Sequence, residues 1–320
     1  MAHLLEDMAF VGETPWHGLG SQLPPKQPIE TWAKGAGMDW AILQAPVCYR
    51  TDGMHQDHAL LSFDEQKVLY RSDTGAALSV VGDRYKIVQP REVLEFYRDL
   101  TEVFGYELET AGVLKGGRKL WALARTGQDA MLKNQDAVCG YLLLATSCDG
   151  TLATMAMPTT MRVVCNNTLA IALKGASNAV KVPHSTTFDP DAVKRQLGLA
   201  TSQWAAFLYR IQQMATRKVK STETLSFFER VVAQSVEQGS PPVTNGRAVK
   251  RMQELFDGHG RGAEMSTAKG TTWGLLNAVT EFVDHERRAR SRESRLDSAW
   301  FGPGAAVKQR AFDLALDMLA

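Results

Sequence analysis

The stretch ELETAGVLKGGRKLWALART, Glu107 to Thr126, reads as two strands joined by a tight turn. Gly116-Gly117 supplies the positive φ angles that a two-residue hairpin turn needs. The segment VCGYLLLATSCDGTLATMAM, Val138 to Met157, repeats this arrangement around Asp149-Gly150. Its flanking runs are almost continuous in apolar residues, which places them at the centre of a sheet covered on at least one face. Just upstream, Pro90 suits a first helical position, where no N–H partner is required. Val93, Tyr97, Leu100 and Phe104 then form one apolar helical stripe, and Gly105 ends it. Further upstream a short helix is expected at Ile29 to Ala36. Strands are expected at Ala41 to Arg50, Ala59 to Phe63, Lys67 to Ser72 and Leu78 to Val81.

Downstream, MPTTMRVVCNNTLAIALKGA, Met157 to Ala176, predicts a helix capped by Thr159 or Thr160. Met161, Val164, Cys165, Leu169, Ala172 and Leu173 would share one face, and Arg162, Asn166 and Lys174 another. From Pro190 the character changes. A long helical stretch from Asp191 to about Arg217 carries Val193, Leu197, Trp204, Leu208 and Ile211 as apolar markers. Helices follow at Thr222 to Gln238, Gly246 to Phe256, Thr271 to about Arg290, and Gly304 to the end, separated by Gly/Pro/Ser-rich turns. The fold class is therefore α+β. Residues 1–190 form a core with an antiparallel sheet and packed helices, and residues 191–320 a helical C-terminal subdomain.

With 320 residues, 44% hydrophobic and 22% charged, the chain has the composition of an ordinary globular protein. No apolar run approaches the roughly 18 residues that a membrane span requires. MAHLLEDMAF lacks the basic start and apolar run of a secretory signal. The four cysteines form no CxxC pair, so free thiols in a reducing cytoplasm are expected. The net charge of +1 hides an asymmetry: 17 basic against 21 acidic residues up to Pro190, and 19 against 14 beyond it. That balance permits nucleic-acid contact by the second half without demanding it.

Motifs for catalysis are sparse. Asp52, His55, Asp57 and His58, with Cys48 nearby, suggest half of a zinc site. No matching second ligand pair follows, so a solvated loop and no metal are expected. Cys165 with His184 as base would suit a nucleophile, yet Cys165 falls on the apolar stripe of its expected helix. GxSxG, HExxH and GxxxxGK[ST] are absent. No catalytic residue and no cofactor are expected. Trp16-His17 reads either as a loop pinned by its indole against the core or as an aromatic and imidazole pair at a binding surface.

Two basic features remain. Lys115, Arg118 and Lys119 cluster at the Gly-Gly tip, with Arg125 and Arg162 behind them, and neutralising phosphates needs such cations. Tyr85, Tyr106 and Trp121 would supply faces for base stacking. The bland reading of the same residues is a solvated hairpin over core aromatics. The run DHERRARSRESR, Asp284 to Arg295, carries five arginines, among them Arg287, Arg288, Arg290 and Arg292. Cations favour the negative end of a helix, but five exceed that need, so contact with phosphate or an acidic partner is a second expectation.

TPWHGLG, VVGDRYKIVQPRE, ETAGVLKGGRKLWALAR, MRVVCNNTLAIAL, TTWGLLNAVTEFVDHERRAR and FGPGAAVKQRA, in this order, resemble a phage/plasmid-like protein family described only as a domain of unknown function. That resemblance implies a mobile-element origin and a bacterial host cytoplasm. A second one, carried by the order helix, Phe104-Gly105-Tyr106, hairpin, strands and helix, is to the core of Red-beta/Erf-type single-strand annealing proteins. It implies single-stranded DNA binding in oligomeric rings, without cofactor, along a basic groove holding Lys115, Arg118, Lys119 and Arg162. The leading expectation is thus single-stranded DNA binding and strand annealing by a homo-oligomer, with no membrane association. The competing expectations are a protein-interaction module of a mobile element, for example in counter-defence, and an unrecognised enzyme.

Overall fold

The computed structural model describes residues 8–15, 18–50, 60–164, 167–170, 172–173, 176–177, 179–200, 202–233 and 246–320. Strands β1 (Met8–Val11) and β2 (Ser21–Leu23) precede helix α1 (Ile29–Gly35). Strands β3 (Ile42–Arg50), β4 (Leu60–Arg71) and β5 (Ala77–Gly82) form a separate three-stranded sheet. Helix α2 (Pro90–Phe104) leads into β6 (Glu107–Leu114), β7 (Lys119–Leu132), β8 (Asp136–Ser147), β9 (Thr154–Arg162) and β10 (Asn167–Ala170). Two short strands, β11 (Ala172–Leu173) and β12 (Ala176–Ser177), pair with each other, and β13 (Val180–Val182) pairs with β9. The large sheet runs β10-β9-β8-β7-β6-β1-β2 and is antiparallel except between β1 and β2. Helices follow as α3 (Pro190–Ala200), α4 (Ser202–Thr216), α5 (Ser221–Val232), α6 (Gly246–Glu254), α7 (Thr272–Glu281), α8 (Arg292–Phe301) and α9 (Pro303–Asp317). The fold is α+β, with antiparallel sheets in the first half and helices toward the C-terminus.

Both faces of the large sheet are covered, which explains the unbroken apolar runs of β7 and β8. Alternate side chains point to opposite faces of a strand. Leu120, Ala122, Ala124, Leu142 and Leu144 therefore pack with Trp32, Leu69, Leu94 and Phe96 from α1, β4 and α2. Trp121, Leu123, Leu143 and Ala145 pack on the other face with Phe207, Phe228, Leu275 and Phe312 from α4, α5, α7 and α9. Most helices after Pro190 thus lie on the second face of the same sheet. Val193 of α3 instead joins the first.

Local signals placed α2 correctly. Glu92 Oε2 accepts from the Gln89 amide at 2.6 Å, and Gly105 closes the helix at φ 68°. Val93, Tyr97 and Leu100 are buried, while Phe104 at the end of the stripe is 65% exposed. The hairpin tip is wider than a two-residue turn, since Leu114 pairs with Lys119 across four residues. Lys115, Gly116 and Gly117 all have positive φ. A Cβ on Gly117 would meet Leu78 and Trp40 at 3.0 Å, so both space and conformation require glycine there.

The expected helix over Thr159 to Leu173 is instead a strand pair, β9 with β10, in the register Arg162↔Asn167 to Thr159↔Ala170. Its threonines and valines suit a pleated surface. Thr159 Oγ1 donates to the Leu169 carbonyl at 2.8 Å. The edge of β8 offers β9 a full ladder from Val138 to Ala145, and that pairing overrides the helical spacing of the apolar residues. Cys165 and Asn166 lie outside the described residues.

Tyr97 of α2 reaches the centre of the sheet. Its hydroxyl accepts from the Leu144 amide at 2.8 Å and lies 2.8 and 2.9 Å from the carbonyls of Ala122 and Leu142. The ring is fully buried, and desolvation holds the phenol well above its usual pKa. Tyr97→Phe leaves the Leu144 amide unpaired inside the sheet and should cost about 1–3 kcal/mol. Urea unfolding measures this, and an unchanged midpoint would show the hydroxyl to be dispensable.

Candidate functional site

The residues expected to form one basic trough do not lie together. Arg162 is on β9, not on a helix, and it is 3% exposed. Its Nε donates to both oxygens of Asp136, at 2.7 and 2.9 Å. Asp136 also accepts from Thr267 Oγ1 at 2.8 Å and Trp273 Nε1 at 3.0 Å. The guanidinium donates to the Gly262 carbonyl at 3.2 Å, so the cluster ties the sheet to the helical layer. Arg162 pairs with Val138 on β8, and Lys119 is aligned with Ser147 of the same strand. At the rise of a strand this separates them by roughly 30 Å.

Nearer the tip, burial and carboxylates take up most of the charge. Lys119 is 5% exposed, and its Nζ meets Asp297 Oδ1 at 2.5 Å. Lys115 Nζ meets Asp297 Oδ2 at 2.8 Å. Partial burial opposes the charge on Lys115, but Asp297 outweighs it, and the pKa of the ammonium is raised. Arg125 donates to Asp129 at 2.6 Å on the exposed part of β7. Arg118 is exposed and forms no ion pair with a described residue.

The aromatic side chains are also committed. Tyr85 stacks on His184 at 4.3 Å and donates to the Ser147 carbonyl at 2.8 Å. Desolvation raises the pKa of its phenol. Tyr106 is half-buried beside Phe104, and Trp121 is fully buried edge-on to Trp300 at 4.8 Å. The His184 ring lies 3.0 Å from the carbonyls of Lys86 and Leu152, a structural bridge. Burial raises the thiols of Cys139 and Cys148 to about 11 and 12, so neither is an available nucleophile. Cys48 is exposed. Trp16, His17, Asp52, His55, Asp57 and His58 lie outside the described residues. Among the described residues no cluster of three or more His, Cys, Asp or Glu has the makings of a metal site.

The fold does bring two remote segments together. The Lys115 amide donates to Glu293 Oε1 at 2.5 Å, across 178 residues, so the β6–β7 tip rests on the start of α8. Ser291 caps α8 by accepting from the Ser294 amide at 3.0 Å. Arg292 Nη1 reaches the Gly18 carbonyl at 3.3 Å. Arg288 and Arg290, on the short link before α8, are exposed and form no ion pair with a described residue. Arg287 is half-buried, with Nη1 lacking a hydrogen-bond partner. Around this contact Lys115 is exposed but paired with Asp297, while Arg118, Arg288, Arg290 and Arg292 are exposed and form no ion pair with a described residue.

A second feature had no sequence signal. A cleft of about 620 Å³ opens between β8–β9–β10 and α8–α9, lined by Leu143, Met155, Met157, Leu169 and Phe301. It shares Leu123, Tyr141, Met161, Thr168 and Trp300 with a neighbouring pocket of about 370 Å³ that reaches Glu109, Thr110 and Arg125. On its floor the buried Lys308 Nζ donates to Asp284 Oδ1 at 2.8 Å and to Thr168 Oγ1 at 2.9 Å. Tyr141 donates to Glu109 Oε2 at 2.8 Å, and desolvation holds the Glu109 carboxyl above its usual range.

A sheet covered on one face by α2 and a small sheet, and on the other by a helical layer, defines the class of this molecule. The chain belongs to the family described as Domain of unknown function (DUF932), which it matches over residues 77–300. That span runs from β5 through most of α8 and contains the central strands, the hairpin tip and the arginine run. No curated protein and no solved structure matches the chain. Among the described residues no helix is long and apolar enough to cross a membrane.

Two outcomes test these assignments. Asp136→Ala strands the Arg162 charge in the interior and should destabilise the protein by about 3–5 kcal/mol. A loss below about 1 kcal/mol in urea unfolding, the range of a solvent-screened pair, would contradict a structural role. Glu109 keeps its proton to higher pH when folded than when unfolded. Stability should therefore fall as pH rises from the ordinary carboxyl value of 4.5 through the raised one. Glu109→Gln should flatten that slope in pH-dependent melting curves.

Proposed function

We propose that this chain binds the backbone of single-stranded DNA where the β6–β7 tip meets α8, and that it anneals complementary strands without a cofactor. The observation that carries the reading is the Lys115–Glu293 contact, which brings the hairpin tip bearing Arg118 to the start of α8, the helix that begins with Arg292 and follows Arg288 and Arg290 in the chain. Mobile, exposed arginines release counterions when they meet phosphates. The burial of Trp121 and the engagement of Tyr85 and Tyr106 suit a grip on phosphates alone, which leaves base edges free to pair with a second strand. Four arginines reach only a few phosphates, so a homo-oligomer repeating this surface provides the longer track that annealing requires. A phage or plasmid origin and a bacterial cytoplasm complete this reading.

A second reading is favoured by one observation. On the projecting β3–β4 ribbon, Tyr49↔Leu61 and Val47↔Phe63 are cross-strand pairs on one face. Tyr49 is 48% exposed, Leu61 41% and Phe63 40%. Such a face suits contact with another protein, as in an interaction module.

The readings separate in a titration of fluorescent single-stranded and duplex DNA across salt concentrations. DNA binding predicts that the triple variant Arg118→Ala, Arg290→Ala, Arg292→Ala binds single strands more weakly. The log–log salt slope should flatten by about 0.7 per lost phosphate contact, and annealing of complementary oligonucleotides should slow. Equal affinity and slope in the wild type and the triple variant would remove the DNA reading. Absent retardation at low salt, together with a stable partner lost on Tyr49→Ser and Phe63→Ser, would support the second.

A further inference from the structure

The two connected pockets described above have a polar end, and the sheet is irregular there. The β6–β7 register shifts between Leu108 and Thr110, which makes Glu109 the extra residue of a bulge. The β7–β8 register shifts between Arg125 and Asp129 at the same end of the sheet. Bulges re-aim side chains and gather beside functional sites. Here both flank the 370 Å³ pocket that Glu109, Thr110, Arg125 and Tyr141 line.

Thr110 provides the second observation. Its side chain is 4% exposed, yet its Oγ1 has no hydrogen-bond partner among the described residues. A buried hydroxyl left unmade costs stability, and native structures rarely keep one without a use. Beside it, Glu109 accepts from Tyr141 through Oε2, and no described residue donates to Oε1. Arg125 lines the same pocket, its partly exposed guanidinium held by Asp129. An unmet hydroxyl, an unmet carboxyl oxygen and a guanidinium thus converge at one end. The apolar cleft of about 620 Å³ continues from them through Leu123 and Trp300. Volumes of this order hold small molecules, whereas packed interiors keep few voids larger than a water molecule.

We propose that this cleft is a binding site for a small molecule with an apolar body and a neutral head that carries a hydrogen-bond donor beside an acceptor, as in a carboxamide. The head's N–H donates to Glu109, its carbonyl accepts from the Thr110 hydroxyl, and its body lies along Leu143, Met155 and Phe301. A carboxylate head offers Glu109 no proton and meets a guanidinium that Asp129 already engages. The site is independent of the proposed DNA surface, since it lies on different residues and in a different part of the fold.

The probes are naphthalene-2-carboxamide and naphthalene-2-carboxylate, which share a body and differ in head. Titration calorimetry of the full chain should show saturable binding of the carboxamide, about tenfold tighter than the carboxylate. Thr110→Val should weaken the carboxamide by about tenfold. The same variant without probe should melt no lower than wild type, because it removes an unsatisfied hydroxyl and keeps the shape. Ala305→Phe, projecting from α9 into the apolar length, should block both probes while the fold persists by circular dichroism. Absence of saturable binding, unchanged affinity in Thr110→Val, a lowered melting temperature in that variant, or binding that survives Ala305→Phe would each overturn the site. None of these results bears on DNA affinity.

Discussion

A sheet buried on both faces leaves its strands no solvent-facing side on which to place charge. Strands β7 and β8 meet this constraint with apolar side chains where they cross the centre of the sheet, from Leu120 to Ala124 and from Leu142 to Ala145. Several polar groups that do enter are matched, while the Thr110 hydroxyl is not. Arg162 meets Asp136, Lys119 meets Asp297, Lys308 meets Asp284, and Tyr97 meets the backbone. Burying a charge alone is far more costly than burying a matched pair, so the partners are obligatory. Lys119–Asp297 joins the sheet to the helical layer, Lys308–Asp284 ties that layer to itself, and the Arg162–Asp136 pair within the sheet holds the layer through Gly262, Thr267 and Trp273, so the polar contacts set how the layers dock.

The same constraint separates the cations by role. Those within the layers bind carboxylates and hold the fold together. Those past the end of the hairpin and in the link before α8 remain in water, where a polyanion can reach them. The surface proposed for DNA is therefore much smaller than a count of basic residues implies. It draws on two segments far apart in the chain, the hairpin tip and the stretch around the start of α8, which the fold brings into contact.

How much of this was legible in the sequence follows from the range of each signal. Gly116-Gly117, Asp149-Gly150, Pro90 and Gly105 act on their immediate neighbours, and the two hairpins and α2 lie where these residues place them. Met161, Val164, Leu169 and Leu173 have a spacing that imitates a helix, whereas the ladder that β8 offers across the Asp149-Gly150 turn makes the start of the segment a strand, a pairing that the spacing within the segment does not announce. Arg162 looked like a surface cation because Asp136, 26 residues earlier, carries no mark of being its partner. Glu293 and Asp297 are 178 residues from the lysines they bind, beyond any local pattern. The cleft left no trace at all, because Thr110 and Glu109 read as ordinary strand residues until the bulge turns them.

Asp297 has a consequence for how fragments of this chain behave. One carboxylate holds both Lys115 and Lys119, so any truncation that removes α8 sets two ammonium groups free at the hairpin tip. A shortened protein would then carry more available positive charge there than the intact one, even as it loses Arg292. Strong retention of such a piece on a polyanion would reflect the missing counter-ion and not the native surface. The last helices thus act as a built-in neutraliser, and only chains that retain them display the charge pattern of the whole molecule.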